Sequence, residues 1–197
     1  MRPATLLIFA KPARIGLSKT RLAKGLGPAA ARRIAGFTLA HTLKVARTSG
    51  CAVTLCLAPD AAARASGPFA GMLVKAQGSG SLTERLGRGL ADAPPGPVLF
   101  IGADAPGLTP HHLRLAVILL RRHDAVFGPA RDGGFWLFGM HKRPGWTAPF
   151  AGVRWSGPHA MADVRARLPA GSRVGLMETL IDIDEAADWA DWTRQTR

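Results

Sequence analysis

The 197-residue chain carries a formal net charge of +13, is 47% apolar and 20% charged, and has two cysteines. These values describe an ordinary soluble globular protein of one domain, residues 1–197, long enough to bury a core without disulfides. No run of about 18 apolar residues occurs, which excludes a helical span, so no membrane insertion is expected.

Residues 4–10, ATLLIFA, read as a first buried strand. The apolar run before Lys11 is too short for a signal peptide, so the expected location is the cytoplasm. The strand breaks into KPARIGLSKTRLAKGLG, read as a loop with Pro12, Gly16, Gly25 and Gly27 and the cations Lys11, Arg14, Lys19, Arg21 and Lys24. A helix is expected from Pro28 to about Thr48, with Gly50 just beyond its end. Ile34, Phe37, Leu39, Leu43 and Val45 supply its apolar contacts. CAVTLCLAP is a second strand stopped by Pro59; the spacing of Cys51 and Cys56 puts them on opposite faces, unable to pair or to bind zinc. A short alanine-rich helix, a Gly67-Pro68-Phe69 stretch and a third strand at Met72–Ala76 follow.

Ser81 and Glu84 form a capping-box signature for a helix running to about Asp92. Residues 97–108, PVLFIGADAPGL, then give a short central strand that ends at Gly102 and releases Asp104 two residues later. A carboxylate at the carboxyl end of a buried parallel strand stands where open α/β sheets place ligands. The plain alternative is an aspartate that caps a loop. Thr109-Pro110 starts another helix, with His111 and His112 in its first turn. DAVFGPA and FWLFGM are strands joined by the tight loop RDGG, a helix covers Pro158–Leu168 with His159 just inside it, and Val174–Met177 is a last strand. LIDIDEAADWADW closes the chain with a helical end. The fold class is therefore α/β, a mostly parallel doubly wound sheet with an antiparallel element in the C-terminal half.

Residues 1–59 contain no Asp or Glu but carry ten Lys or Arg. No recognition motif or aromatic-interleaved basic helix accompanies them, so a small anionic substrate is expected rather than nucleic acid. The first loop lacks both the P-loop and the dinucleotide fingerprint. What remains is a glycine-containing basic loop at a strand end, suited to phosphate oxygens or simply solvated. If Asp104 holds a divalent cation, Asp182, Asp184 and Asp132 are the candidate partners. Asp182 and Asp184 alternate with apolar residues, as on a strand end that points both carboxylates one way. Asp184 also suits a helix N-cap, and Asp132 before Gly133-Gly134 also suits a plain turn.

Five separated motifs resemble the small bacterial GT-A-type glycosyltransferase-like family, some members of which are associated with radical-SAM proteins. Lys11, Pro12, Gly16, Lys19, Thr20, Arg21 and Leu22 match its first-loop motif, and Gly102, Asp104, Pro106 and Leu108 match its central one. Gly128–Ala130 with Asp132–Gly134, then Trp155, Ser156, Pro158 and His159, and finally Asp182 and Asp184 match the rest. The likeness extends more distantly to the guanylyltransferases of molybdenum-cofactor and coenzyme F420 synthesis.

The resemblance implies a GT-A-like nucleotide-diphospho-sugar transferase fold and a metal-dependent transferase, using Mg²⁺ or Mn²⁺ and a nucleotide or nucleotide-sugar donor. The expected activity is glycosyl transfer to an unknown acceptor. The alternatives are a nucleotidylyltransferase acting on a phosphorylated or acidic acceptor, or a non-catalytic nucleotide-binding protein. By position, Asp104 with Asp184 and Asp182 would hold the metal. Lys11, Pro12, Gly16, Lys19, Thr20 and Arg21 would hold the nucleotide phosphates. Asp132 is the candidate acceptor base, and Gly133, Gly134, Ser156 and His159 are acceptor-side candidates.

Overall fold

The computed structural model describes residues 3–64, 69 and 71–196, and Gly67-Pro68 of the expected Gly67-Pro68-Phe69 stretch lies outside them. The strands β1 (Thr5–Ala10), β2 (Ala52–Leu57), β3 (Leu73–Ala76), β4 (Gly96–Ile101), β5 (Ala125–Pro129), β6 (Phe135–Lys142) and β7 (Val174–Leu176) form one sheet. Their order is β3-β2-β1-β4-β6-β5-β7. All neighbours are parallel except β6, which runs antiparallel between β4 and β5. That strand is the antiparallel element expected from the back-to-back strand pattern.

Strand alternation sends side chains to two cores. Leu6, Ile8, Leu99 and Ile101 pack on one face, where α2 (Pro28–Arg47) contributes Leu39 and Leu43 and α5 (Pro110–Leu119) contributes Leu113. Leu7, Val98, Phe100 and Phe138 pack on the other, under α4 (Leu82–Asp92) with Leu86 and Leu90 and α6 (Ala160–Ala166) with Val164. At about 25 cal/mol per Å² of apolar surface removed from water, these two layers are the main stabilising term. The capping box at Ser81 and Glu84 starts α4 as expected, and Thr109 caps α5.

Two expectations are corrected. The first loop contains a helix, α1 (Thr20–Leu26), because Leu22 finds a third core with Ile34, Ile181 and Ile183. His159 is the N-cap of α6 rather than a residue inside it. Phe37 makes its apolar contacts at the surface, 44% exposed, edge-on to Trp189 and tilted against Trp192 of α7 (Ala186–Gln195).

Parallel pairing of β1 with β4, in register at Ile8 and Ile101, releases two loops side by side at the carboxyl end of the sheet. The loop after β1 carries Lys11 to Lys19, and the loop after β4 carries Asp104. The β1–β4 junction is the switch point at which an open α/β sheet forms its crevice.

Candidate active site

Lys19 is the residue on which the site converges. Its ammonium lies 2.7 Å from Asp104 Oδ1 and 3.7 Å from Asp184 Oδ1, and its side chain is only 6% exposed. The guanidinium of Arg21 donates to Asp184 Oδ2 at 2.9 Å. Both carboxylates remain nearly half exposed. Asp184 reaches this point because the amide of Ile183 donates to the carbonyl of Asp104 at 2.8 Å, stitching the C-terminal segment to the loop after β4. The side chain of Asp184 is not a helix cap, because Glu185 takes that place and forms a capping box with Asp188.

Lys19 has φ 55 and Ser156 φ 62, and they are the two non-glycine residues with positive φ among the described residues. Both line one cavity of about 710 Å³, together with Lys11, Gly16, Thr20 and Arg21. Left-handed backbone at non-glycine residues costs of order 1–3 kcal/mol and concentrates at functional sites. Two buried side-chain polar atoms lack a partner among the described residues, Ser18 Oγ and Arg85 Nε. Their residues line this same cavity. Unsatisfied buried donors are costly, so they mark a place for an oxygen-rich ligand.

A second cavity of about 330 Å³ adjoins the first and shares Asp104, Asp184 and Arg21 with it. Asp132, Gly134, Ser156 and Asp182 also line it. Asp132 Oδ1 accepts from the amide of Gly134 at 2.8 Å, so the turn shapes the loop and leaves Oδ2 to the cavity. Burial, reinforced by the neighbouring carboxylates of Asp132 and Asp104, pushes Asp182 up to about 6. The segment bearing Trp155 and Ser156 is fixed by Arg154, whose backbone and guanidinium donate to Asp163 at 2.8–2.9 Å. Trp155 Nε1 donates to Thr83 Oγ1 at 2.8 Å.

Some sequence candidates fall elsewhere. Pro12 lines a separate cavity behind the first loop. Gly133 packs on the backbone of Pro158, and exposed His159 lines neither cavity of the site. His112 is buried, accepts from the Thr109 amide through Nδ1 and bonds Glu178 through Nε2. Sequence reading missed Ser18 and Arg85. Ser18 adjoins the matched Lys19, and Arg85 follows the capping-box Glu84, but no local pattern aims either side chain inward.

Asp104 and Asp184 fit a divalent cation. They are hard oxygen donors, and the Lys19 ammonium between them already stands where a cation would sit. No cage of three or more His, Cys, Asp or Glu exists among the described residues. A two-carboxylate site completed by phosphate and water is a usual Mg²⁺ arrangement.

Residues 39–157 match the family model described as "Uncharacterized protein conserved in bacteria (DUF2064)". The chain belongs to this family. No curated protein matches it. Among solved structures, the chain is similar to a candidate nucleotide-diphospho-sugar transferase from Desulfovibrio desulfuricans G20 at 24% identity and TM-score 0.87, covering 100% of this chain and 89% of that one. Rv0371c from Mycobacterium tuberculosis H37Rv, in complex with manganese, matches at 18% identity and TM-score 0.59, over 97% of this chain and 98% of that one. CMP:2-keto-3-deoxy-manno-octonic acid synthetase complexed with CTP matches at 14% identity and TM-score 0.58, over 98% of both chains. At these identities the likeness establishes a shared fold, that of the nucleotide-diphospho-sugar transferases. Among the described residues no helix is long and apolar enough to cross a membrane.

Proposed function

We propose that this DUF2064 protein is a metal-dependent glycosyltransferase that takes a nucleotide-diphospho-sugar as donor. The observation that carries this reading is the Lys19 ammonium held between Asp104 and Asp184 in the lining of the larger cavity. The same cavity collects Lys11, Arg21, Arg85 and Ser18, donors for a diphosphate.

Asp104 and Asp184 would hold Mg²⁺ or Mn²⁺. The ion, when bound, neutralises charge on the donor's diphosphate. Lys19 and Arg21 donate to the phosphate oxygens and stabilise the charge that grows on the leaving group, an effect of about 3–4 kcal/mol for one such donor. An acceptor hydroxyl oxygen bonds to the anomeric carbon as the anomeric carbon–oxygen bond breaks. The electron pair leaves with the nucleoside diphosphate, and the free oxygen of Asp132 receives the hydroxyl proton. Asp182, half-buried and lining the smaller cavity with Asp132 and Asp104, adds negative charge beside the reacting centre.

A second reading is nucleotidylyl transfer from a triphosphate. It is favoured by the density of cations in the first loop and by the fold shared with a synthetase complexed with CTP. Product analysis separates the two. Incubation with a panel of nucleotide sugars and Mn²⁺ is expected to release nucleoside diphosphate. Release of pyrophosphate from a triphosphate, with no diphosphate from any sugar donor, would replace the first reading with the second.

A further inference from the structure

The smaller cavity differs in character from the basic one beside it. Its walls are aromatic and aliphatic, with Phe9, Phe100, Phe135, Trp155 and Leu86. Its charged lining is Asp104, Asp132, Asp182 and Asp184 against the single cation Arg21, which is tied to Asp184 at 2.9 Å. No lysine or histidine lines it among the described residues. The chain has 26 Lys and Arg against 13 Asp and Glu, so four carboxylates in one cavity are not a reflection of composition.

From this contrast we propose that the smaller cavity is the acceptor subsite, and that it takes a hydroxylated acceptor bearing an apolar face and no negative charge. The proposal rests on the transferase reading above and assigns the class of its second substrate. Lys19 and Arg21 pair with Asp104 and Asp184, whereas Asp132 and Asp182 have no ion-pair partner among the described residues, so the acceptor end of the cavity keeps uncompensated negative charge. A phosphate or carboxylate on the acceptor would meet no free cation and several like charges, whose juxtaposition is strongly unfavourable. Hydroxyl groups, in contrast, find carboxylate acceptors at Asp132 and Asp182. The C–H face of a sugar or an aryl group finds the rings of Trp155 and Phe135, which supply area without polar demands. The phosphorylated or acidic acceptor expected for the nucleotidylyl alternative does not suit this lining.

The test uses saturation-transfer NMR on the full chain with Mg²⁺, comparing para-nitrophenyl glucoside with para-nitrophenyl phosphate. The wild type is expected to bind the glucoside and not the phosphate, and Trp155→Ala to lose the glucoside. The double variant Asp132→Asn/Asp182→Asn keeps the cavity volume. It is expected to gain at least about tenfold in affinity for the aryl phosphate, as removal of like charge requires. Binding of aryl phosphate by the wild type as tightly as the glucoside, or no gain in the double variant, overturns the proposal. A parallel nucleotide titration keeps the two readings apart. Intact metal-dependent nucleotide binding without glucoside binding overturns the acceptor assignment alone. Glucoside binding without nucleotide binding overturns the donor reading.

Discussion

The ammonium of Lys19 lies 2.7 Å from Asp104 Oδ1, joining the loop after β1 to the loop after β4 across the switch point of the sheet. Lys19 is nearly buried whereas Asp104 is 47% exposed, so the carboxylate keeps water access and the pair acts as a closed but exchangeable contact. A pair with one exposed partner contributes about 1 kcal/mol or less to stability. Its weight is therefore in the site's charge arrangement.

Replacing Lys19 separates its two roles. Lys19→Met removes the cation that competes for Asp104 and Asp184, so Mn²⁺ affinity without nucleotide is expected to rise several-fold. Nucleotide affinity is expected to fall about 10- to 100-fold, the range for loss of one charge-assisted hydrogen bond. Calorimetric titration of each ligand alone checks both directions.

Asp182 gives the site a pH signature. Its folded value of about 6 stands above its ordinary 3.8, so the folded protein binds the extra proton between those values. Stability from this group is fully present below the lower value and is lost as pH rises through the upper one. Metal-free wild type is expected to lose melting temperature relative to Asp182→Asn as pH is raised from about 4 to about 7. Melting curves in the presence of chelator, taken for both proteins across that window, check the sign. Asp163 behaves oppositely: Arg154 holds its carboxyl well below the usual carboxylate range, so its contribution persists above the ordinary value and disappears only in strong acid.

The Arg154–Asp163 fork positions Trp155 and Ser156 from outside the cavity. Asp163→Ala is expected to weaken binding of an acceptor-class probe such as para-nitrophenyl glucoside more than binding of nucleotide. The melting temperature should fall modestly. Equal losses for both ligands would indicate general loosening rather than positioning.

Gly133 is held at φ +85, and a Cβ there would lie 2.5 Å from the carbonyl oxygen of Pro158. Gly133→Ala is expected to cost about 1–3 kcal/mol through the strained backbone and the forced shift of the Pro158 segment. Chemical denaturation measures the cost directly, and a neutral substitution would contradict the tight approach of the two loops.

Much of this was legible in the sequence because local signals agreed with the global fold. Alternating strands and helices, the capping box at Ser81 and the proline after Thr109 all resolve into the expected elements. The helix α1 was not, since its N-cap is Lys19 in a left-handed conformation with no side-chain cap, and its one buried residue, Leu22, is flanked by cations. The convergence of Asp104 and Asp184 was suggested by position, but the intervening Lys19 ammonium is a tertiary fact. Ser18 and Arg85 were invisible for the same reason: they meet only where the first loop and α4 line one cavity. His112 shows the reverse case, a first-turn helix residue after the Asp104 loop that folding consumes as a buried cap bonded to Glu178.

The most direct test of the central claim is calorimetric titration of nucleoside diphosphates, with and without Mn²⁺, into wild type and Asp104→Asn. The account predicts binding that strengthens with Mn²⁺ in the wild type and loses at least about tenfold in the variant, as removal of a charged ligand contact implies. Equal affinity in both proteins, unaffected by Mn²⁺, would contradict the assignment of Asp104 and the metal-dependent reading with it.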